Sequence, residues 1–106
     1  MNITINNKVI ELKYSFRSLM IFEKIAGKSF TNVTGLTEIL VFFYSVIISS
    51  DKDITLSWDQ FIDWLDNNPN VLTEFTTWLQ NVMLKNKFIS NNTDDDTEVK
   101  DVEEGN

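Results

Sequence analysis

Three aspartates recur at helical spacing in the second half of the chain, at Asp59, Asp63 and Asp66. Positions i, i+4 and i+7 share one side of a helix, so their carboxylates would lie close together. Such a group suits the binding of a hard cation or general acid–base catalysis. The chain contains no His and no Cys to complete a metal site or a nucleophilic pair. We therefore interpret the three carboxylates as a solvated acidic face, and we expect no enzyme activity, no metal and no cofactor.

Glu23 is a second carboxylate of interest, because it lies in the apolar stretch "SFRSLMIFEKIAG". Its neighbours three and four positions away are apolar residues and a glycine. A carboxylate on such a strip needs a donor, because burying it unpaired is costly. Arg17 is six residues away, too far for a pair on one helix. The remaining donors are a backbone amide, Lys13 or a group on a partner protein.

The acidic charge of the chain is concentrated at its end. The 106 residues are 42% hydrophobic and carry a net charge of −7. Seven acidic residues and one lysine follow Ser90, so this segment alone carries −6. It has almost no large apolar residue that could offset the entropy of ordering it. We predict one domain over residues 1–89 and a disordered acidic tail over residues 90–106, which acts as a solubilising segment, an interaction tail or the site of an extension.

Several locations and partners are disfavoured by composition. Neither the nearly neutral body nor the acidic tail offers the basic stripe that nucleic-acid phosphates require. The first ten residues lack the charged and apolar regions of a signal peptide. The longest apolar stretch, residues 39–48, is too short for a transmembrane helix. We expect a cytosolic protein that binds neither nucleic acid nor membrane.

The alternation of residues near the start predicts a two-stranded hairpin. Ile3 and Ile5 alternate with polar residues, as do Ile10, Leu12 and Tyr14 after them. The intervening residues 6–8 include two asparagines, which tolerate the left-handed conformation of tight turns. A lone hairpin is marginally stable, so its apolar face must pack on helices.

Four helices are expected after the hairpin. The first spans 16–26, between a Ser15 cap and a Gly27 stop, and the second runs from about 35 to 49. The third opens at the capping box of Ser57 and Gln60, and its core stripe is Trp58, Phe61, Ile62 and Leu65. The fourth begins with Asn68 as its cap and Pro69 as its first residue, and it ends near Lys87. The fold class is therefore mainly α, a small domain of about four helices with an N-terminal β-hairpin.

Apolar side chains are the candidate binding residues. Phe42, Phe43 and Tyr44 are consecutive, so one helix–helix contact cannot cover all three. Either the second helix is central and wrapped by the others, or it lends a groove to a partner or a second copy. Trp64 lies roughly 110° around the third helix from its core stripe, and Leu84 lies off the stripe of the fourth. Both are candidates for partner contact.

The stretches "ITINNKVIELKYSF" and "RSLMIFEKIAGKSF" resemble the tail assembly chaperones of long-tailed, siphovirus-like bacteriophages. The later "TLSWDQFIDWLDNNP" and "LTEFTTWL" resemble the third and fourth helices of that family. The likeness covers most of residues 2–85, in order. It lies in short apolar helices around an F-E-x-x-x-G-K segment and includes no catalytic motif.

This resemblance implies a non-catalytic role in virion assembly in the cytoplasm of a bacterial host. Such proteins bind the helical tape measure protein, keep it soluble and help tail tube protein subunits polymerise around it. The resemblance also implies self-association, which we expect to be weak. Many members of that family are made in two lengths, which suggests the hypothesis that the residues after Ser90 are a flexible connector to an extension in a longer, frameshifted product. The alternative is a small helical regulator or inhibitor that acts by protein–protein binding.

Overall fold

The computed structural model describes residues 1–30 and 35–86 of the chain. Within them lie two strands and four helices: β1 (Asn2–Ile5), β2 (Lys8–Glu11), α1 (Phe16–Ala26), α2 (Leu36–Ser50), α3 (Trp58–Asn67) and α4 (Val71–Asn86). The fold is mainly helical with an N-terminal antiparallel hairpin, which confirms the predicted fold class. The predicted disordered tail and the predicted boundary at residues 89 and 90 lie outside the described residues.

Contacts divide the chain into two compact units. The first is Met1–Thr76, which holds the hairpin, α1, α2, α3 and the start of α4. The second begins at Thr77, and its described part is residues 77–86 of α4. None of the helices in the described residues is both long enough and apolar enough to cross a membrane.

The hairpin turns at two asparagines in the left-handed conformation. Asn6 and Asn7 have φ of 54° and 59°, and Ile5 pairs with Lys8 across them. Positive φ at both central residues defines the turn that matches strand twist, and Asn tolerates it better than most residues. The predicted hairpin is confirmed, but β2 ends at Glu11, earlier than Tyr14. The Lys13 amide instead donates to Ser50 Oγ at 2.9 Å, which joins the hairpin exit to α2.

Both ends of α1 are set by residues named from the sequence. The Ser15 hydroxyl accepts from the Ser18 amide at 3.1 Å, and the Ser18 hydroxyl accepts from the Ser15 amide at 3.2 Å. Gly27 ends the helix with φ of 71°, where its amide donates to the Glu23 carbonyl. α1 packs against α2, which also touches β2.

The start of α4 differs from its prediction. Asn68 was expected to cap α4, with Pro69 as the first helical residue, but α4 begins at Val71. The Asn68 amide donates to the Leu65 carbonyl at 3.0 Å, and its side chain donates to the Trp64 carbonyl at 2.8 Å. Asn68 therefore closes α3, because its backbone amide and its side-chain NH2 group both donate to carbonyls in the last turn of that helix.

The core of the first unit is a cluster of phenylalanines. Five of them are fully buried, and they come from α1, α2, α3 and α4: Phe22, Phe42, Phe43, Phe61 and Phe75. The Phe43 and Phe75 rings stack with centroids 4.0 Å apart. Of the predicted stripe on α3, Phe61 alone is fully buried, and the other three side chains are half-buried.

Candidate partner-binding surface

Two of the predicted contact residues lie in the core. Phe42 and Phe43 are both 0% exposed. The Phe42 ring lies 4.7 Å from that of Phe30, and Phe43 stacks on Phe75. The arrangement is that of a central helix wrapped by its neighbours, and a partner could reach these two rings only if the core opened.

Tyr44 is half-buried and fastens the loop that precedes α3. Its hydroxyl donates to the Leu56 carbonyl at 2.5 Å. Its ring meets that of Trp58 edge-on, with centroids 5.5 Å apart. Tyr44 thus has an internal role, and the exposed part of its ring stays a candidate contact.

Trp64 joins α3 to the hairpin. Its indole Nε1 donates to the Thr4 carbonyl on β1 at 2.9 Å. Its ring lies 5.9 Å from that of Phe43 and 6.2 Å from that of Phe61. The structure therefore brings Trp64 and Phe43 together, in contacts made within the fold.

Leu84 is the most exposed of the predicted contact residues. It lies near the end of α4, in the second unit, and 70% of its side chain is accessible. It stays a prediction as a partner contact.

The largest exposed apolar side chains on helices of the first unit were not predicted as contacts. Met20 is 70% exposed and Phe16 is 65% exposed, and both lie on α1. They are four positions apart, so they are neighbours on the helix surface. Ser18, Leu19 and Phe22 point to the buried side of the same helix. The signal in the sequence is the pair Ser15 and Ser18, which forms the capping box of α1. Because Ser18 is on the buried side of the helix, Phe16 and Met20 are left on the exposed side.

The donor for Glu23 is a backbone amide. The Phe30 amide donates to the Glu23 carboxylate at 3.3 Å, across the bend that follows α1. Among the described residues, the donor that the structure shows for Glu23 is this backbone amide, and a group on a partner protein stays a prediction. The Glu23 side chain is exposed, and its bond to the Phe30 amide joins α1 to the segment that follows Gly27.

Among the described residues, Tyr14 and Asp51 have shifted pKa values, and the three aspartates of α3 are exposed. Asp59, Asp63 and Asp66 are all exposed, and within the described ranges no three acidic side chains are placed to hold a metal ion. Burial raises the pKa of the Tyr14 hydroxyl above its ordinary value. The Lys8 ammonium, which pairs with Asp51, lowers the pKa of that carboxyl.

Comparisons with family models, with curated proteins and with solved structures gave no match to this chain.

Proposed function

We propose that this chain is a non-catalytic tail assembly chaperone of a long-tailed bacteriophage. In this proposal it binds the helical tape measure protein, keeps it soluble in the host cytoplasm and helps tail tube protein polymerise around it. The resemblance of its hairpin and helices to that family supports the assignment. The structural observation that supports it most is the apolar outer face of α1, defined by Phe16 and Met20.

The outer face of α1 has the form expected of a helix-binding surface. Met20 and Phe16 lie side by side, and both are more than 60% exposed. Arg17, Glu23 and Lys24 are exposed on the same side of the helix and border the two apolar side chains. Apolar patches with a polar rim are characteristic of protein-interaction sites. The face therefore suits an amphipathic helix with an apolar stripe and flanks of mixed charge.

The aromatic core supports this face from beneath. Phe22, which lies on the buried side of α1, meets Phe42 of α2 edge-on at 5.8 Å. Rigid support lowers the entropy lost when a partner docks, because a face that packs on a buried core has less conformational freedom to lose. In this proposal Phe42 and Phe43 contribute as support, while Tyr44, Trp64 and Leu84 remain candidates for direct contact.

The test is co-expression with the longest helix-rich protein encoded next to this one. We expect this chain to raise the soluble fraction of that protein. The variant Met20→Glu should lower the soluble yield about tenfold, because it places a charge in the apolar face. The matched control is Ile25→Glu, since Ile25 is also exposed on α1 but lies about 140° around it from Met20. The control should keep at least half of the solubilising effect.

Three outcomes of this test count against the proposal. Failure of the native chain to solubilise any such neighbour would oppose it directly. Equal loss in Met20→Glu and Ile25→Glu, with helical content unchanged by circular dichroism, would remove the α1 face from the mechanism. Stoichiometric capture of one globular protein in place of a helical one would favour the regulator or inhibitor.

A further inference from the structure

A groove of about 410 Å³ runs beside β1. Asn2 and Thr4 of β1 form one wall, and Trp64, Asn68 and Pro69 from the end of α3 form part of the other. Its volume lies in the range of small-ligand and peptide sites. The groove shares no residue with the outer face of α1, so it is a separate feature of the first unit.

The wall formed by β1 is an open strand edge. In an antiparallel pair, alternate residues bond to the other strand and the rest turn their amide and carbonyl outward. The Leu12 amide donates to the Met1 carbonyl at 2.8 Å. Met1, Ile3 and Ile5 are therefore the residues whose backbone groups bond to the other strand. Asn2 and Thr4 therefore present their backbone groups to the groove. The bond from Trp64 to the Thr4 carbonyl agrees with this direction.

Trp64 limits how much of the edge is available. Along β1 the outward groups come in the order Asn2 amide, Asn2 carbonyl, Thr4 amide and Thr4 carbonyl. The indole of Trp64 bonds the last of these and lies at that end of the groove. Within the described residues, the first three groups bond to no other group, and they can accept and donate hydrogen bonds to an added strand.

We propose that this groove binds an extended peptide segment that adds as a third strand to β1 and carries a Lys or Arg facing Glu74. Strand addition uses main-chain hydrogen bonds for affinity and the surrounding pockets for specificity. Glu74 is exposed, and it is the one ionisable side chain among the described residues that line the groove. A cationic side chain therefore complements it. The side-chain amide of Asn70 and the Oδ1 of Asn67 offer further hydrogen-bonding groups to the peptide, whereas Asn67 Nδ2 donates to the Asp63 carbonyl.

The first experiment uses a defined probe. The ¹⁵N-labelled full chain is titrated with a blocked six-residue peptide of alternating Lys and Val. We expect saturable shifts of the Asn2 and Thr4 amides and of the Trp64 indole, with a Kd below about 1 mM. The control is the same peptide with every backbone amide N-methylated, which removes all of its main-chain donors. Absence of shifts in the groove, or equal binding of the methylated peptide, would overturn the proposal.

A pair of proline variants tests the strand edge itself. Thr4→Pro deletes the outward amide but no hairpin bond, and proline is tolerated on edge strands. Val9→Pro is the matched control, because Val9 pairs with Thr4 and faces the opposite edge. We expect Thr4→Pro to weaken peptide binding at least tenfold and Val9→Pro to change it less than twofold. Equal effects in two folded variants would refute the assigned edge.

A charge variant keeps the test decisive if the proline variants fail to fold. Glu74→Gln should weaken binding about threefold and flatten its dependence on salt. Asp66→Asn, an exposed carboxylate outside the groove lining, is the control and should leave both unchanged. The Met20→Glu variant should bind the peptide as the native chain does, so failure of the chaperone proposal and failure of this one are distinguishable.

Discussion

The bond between Trp64 and the hairpin gives a stability prediction that can be worked from the contacts. Trp64→Phe keeps an aromatic ring beside Phe43 and Phe61 but removes the Nε1 donor to the Thr4 carbonyl. A hydrogen bond of this kind contributes about 0.5–1.5 kcal/mol net. Because Trp64 is half-buried, water can bond to the Thr4 carbonyl in place of the indole. We therefore expect loss of the hydrogen bond to lower the free energy of unfolding by about 1 kcal/mol.

The loss of apolar area must be separated from the loss of the bond. Trp58→Phe is the matched control, because Trp58 also lies on α3, is half-buried and contacts the Phe61 ring. Both variants lose a similar part of an indole ring, so the apolar terms largely cancel between them. The difference in the free energy of unfolding then reports the bond to the hairpin.

Urea unfolding monitored by circular dichroism measures this difference. We expect Trp64→Phe to be less stable than Trp58→Phe by about 1 kcal/mol, with unchanged dependence on urea. For a domain of this size the same energy lowers Tm by about 4–8 °C. Amide exchange in β1 should also rise more in Trp64→Phe than in the control. Equal stability of the two variants, or greater loss in Trp58→Phe, would refute a stabilising role for the Trp64 bond.

Three other predictions follow from the ends of α1 and from the Lys8–Asp51 ion pair. Ser15→Ala should cost about 1 kcal/mol of unfolding free energy in urea titrations, because it removes the cap on the Ser18 amide; a loss below the error of the titration would contradict this. Gly27→Ala should cost about 1–2 kcal/mol, since φ is 71° and no described atom beyond the two neighbouring residues lies within 4 Å of the added Cβ, so the cost is backbone strain; Gly27→Asn should lose less, and the reverse order would contradict that account. The folded pKa of Asp51 is lowered, so its contribution is present above the unfolded pKa near 3.8 and is lost as pH falls through the folded pKa. Thermal melts between pH 5 and pH 2 should therefore show a smaller loss of stability in Asp51→Asn than in the native chain, and parallel pH profiles would count against the pair.

Local features of this fold follow from residues close together in sequence. The hairpin turn depends on two adjacent asparagines, and the ends of α1 depend on Ser15 and Gly27, because a turn or cap involves groups within four residues. The capping box of Ser57 and Gln60 opens α3 for the same reason. These elements could be predicted with their bounds within a few residues, since no distant group decides them.

The start of α4 shows where local reasoning ends. Asn68 and Pro69 satisfy the preferences for a cap and a first helical residue. The same asparagine can also close the preceding helix, and the structure uses its donors there. Two local patterns competed for one residue, and sequence preference alone does not rank them.

Tertiary structure decided which apolar residues face solvent and which donors meet which acceptors. α2 is apolar on every side, so its sequence pattern does not show that Phe42 and Phe43 are buried. Likewise, the sequence of α1 does not show that Met20 is exposed. Trp64 bonds a carbonyl 60 residues away, and that pairing exists because α3 packs beside β1. The candidate binding surfaces depend on such distant contacts. The strands and helices that carry these surfaces were determined by the sequence alone. The physical reason is that caps and turns satisfy backbone groups locally, while burial depends on the packing of the whole unit.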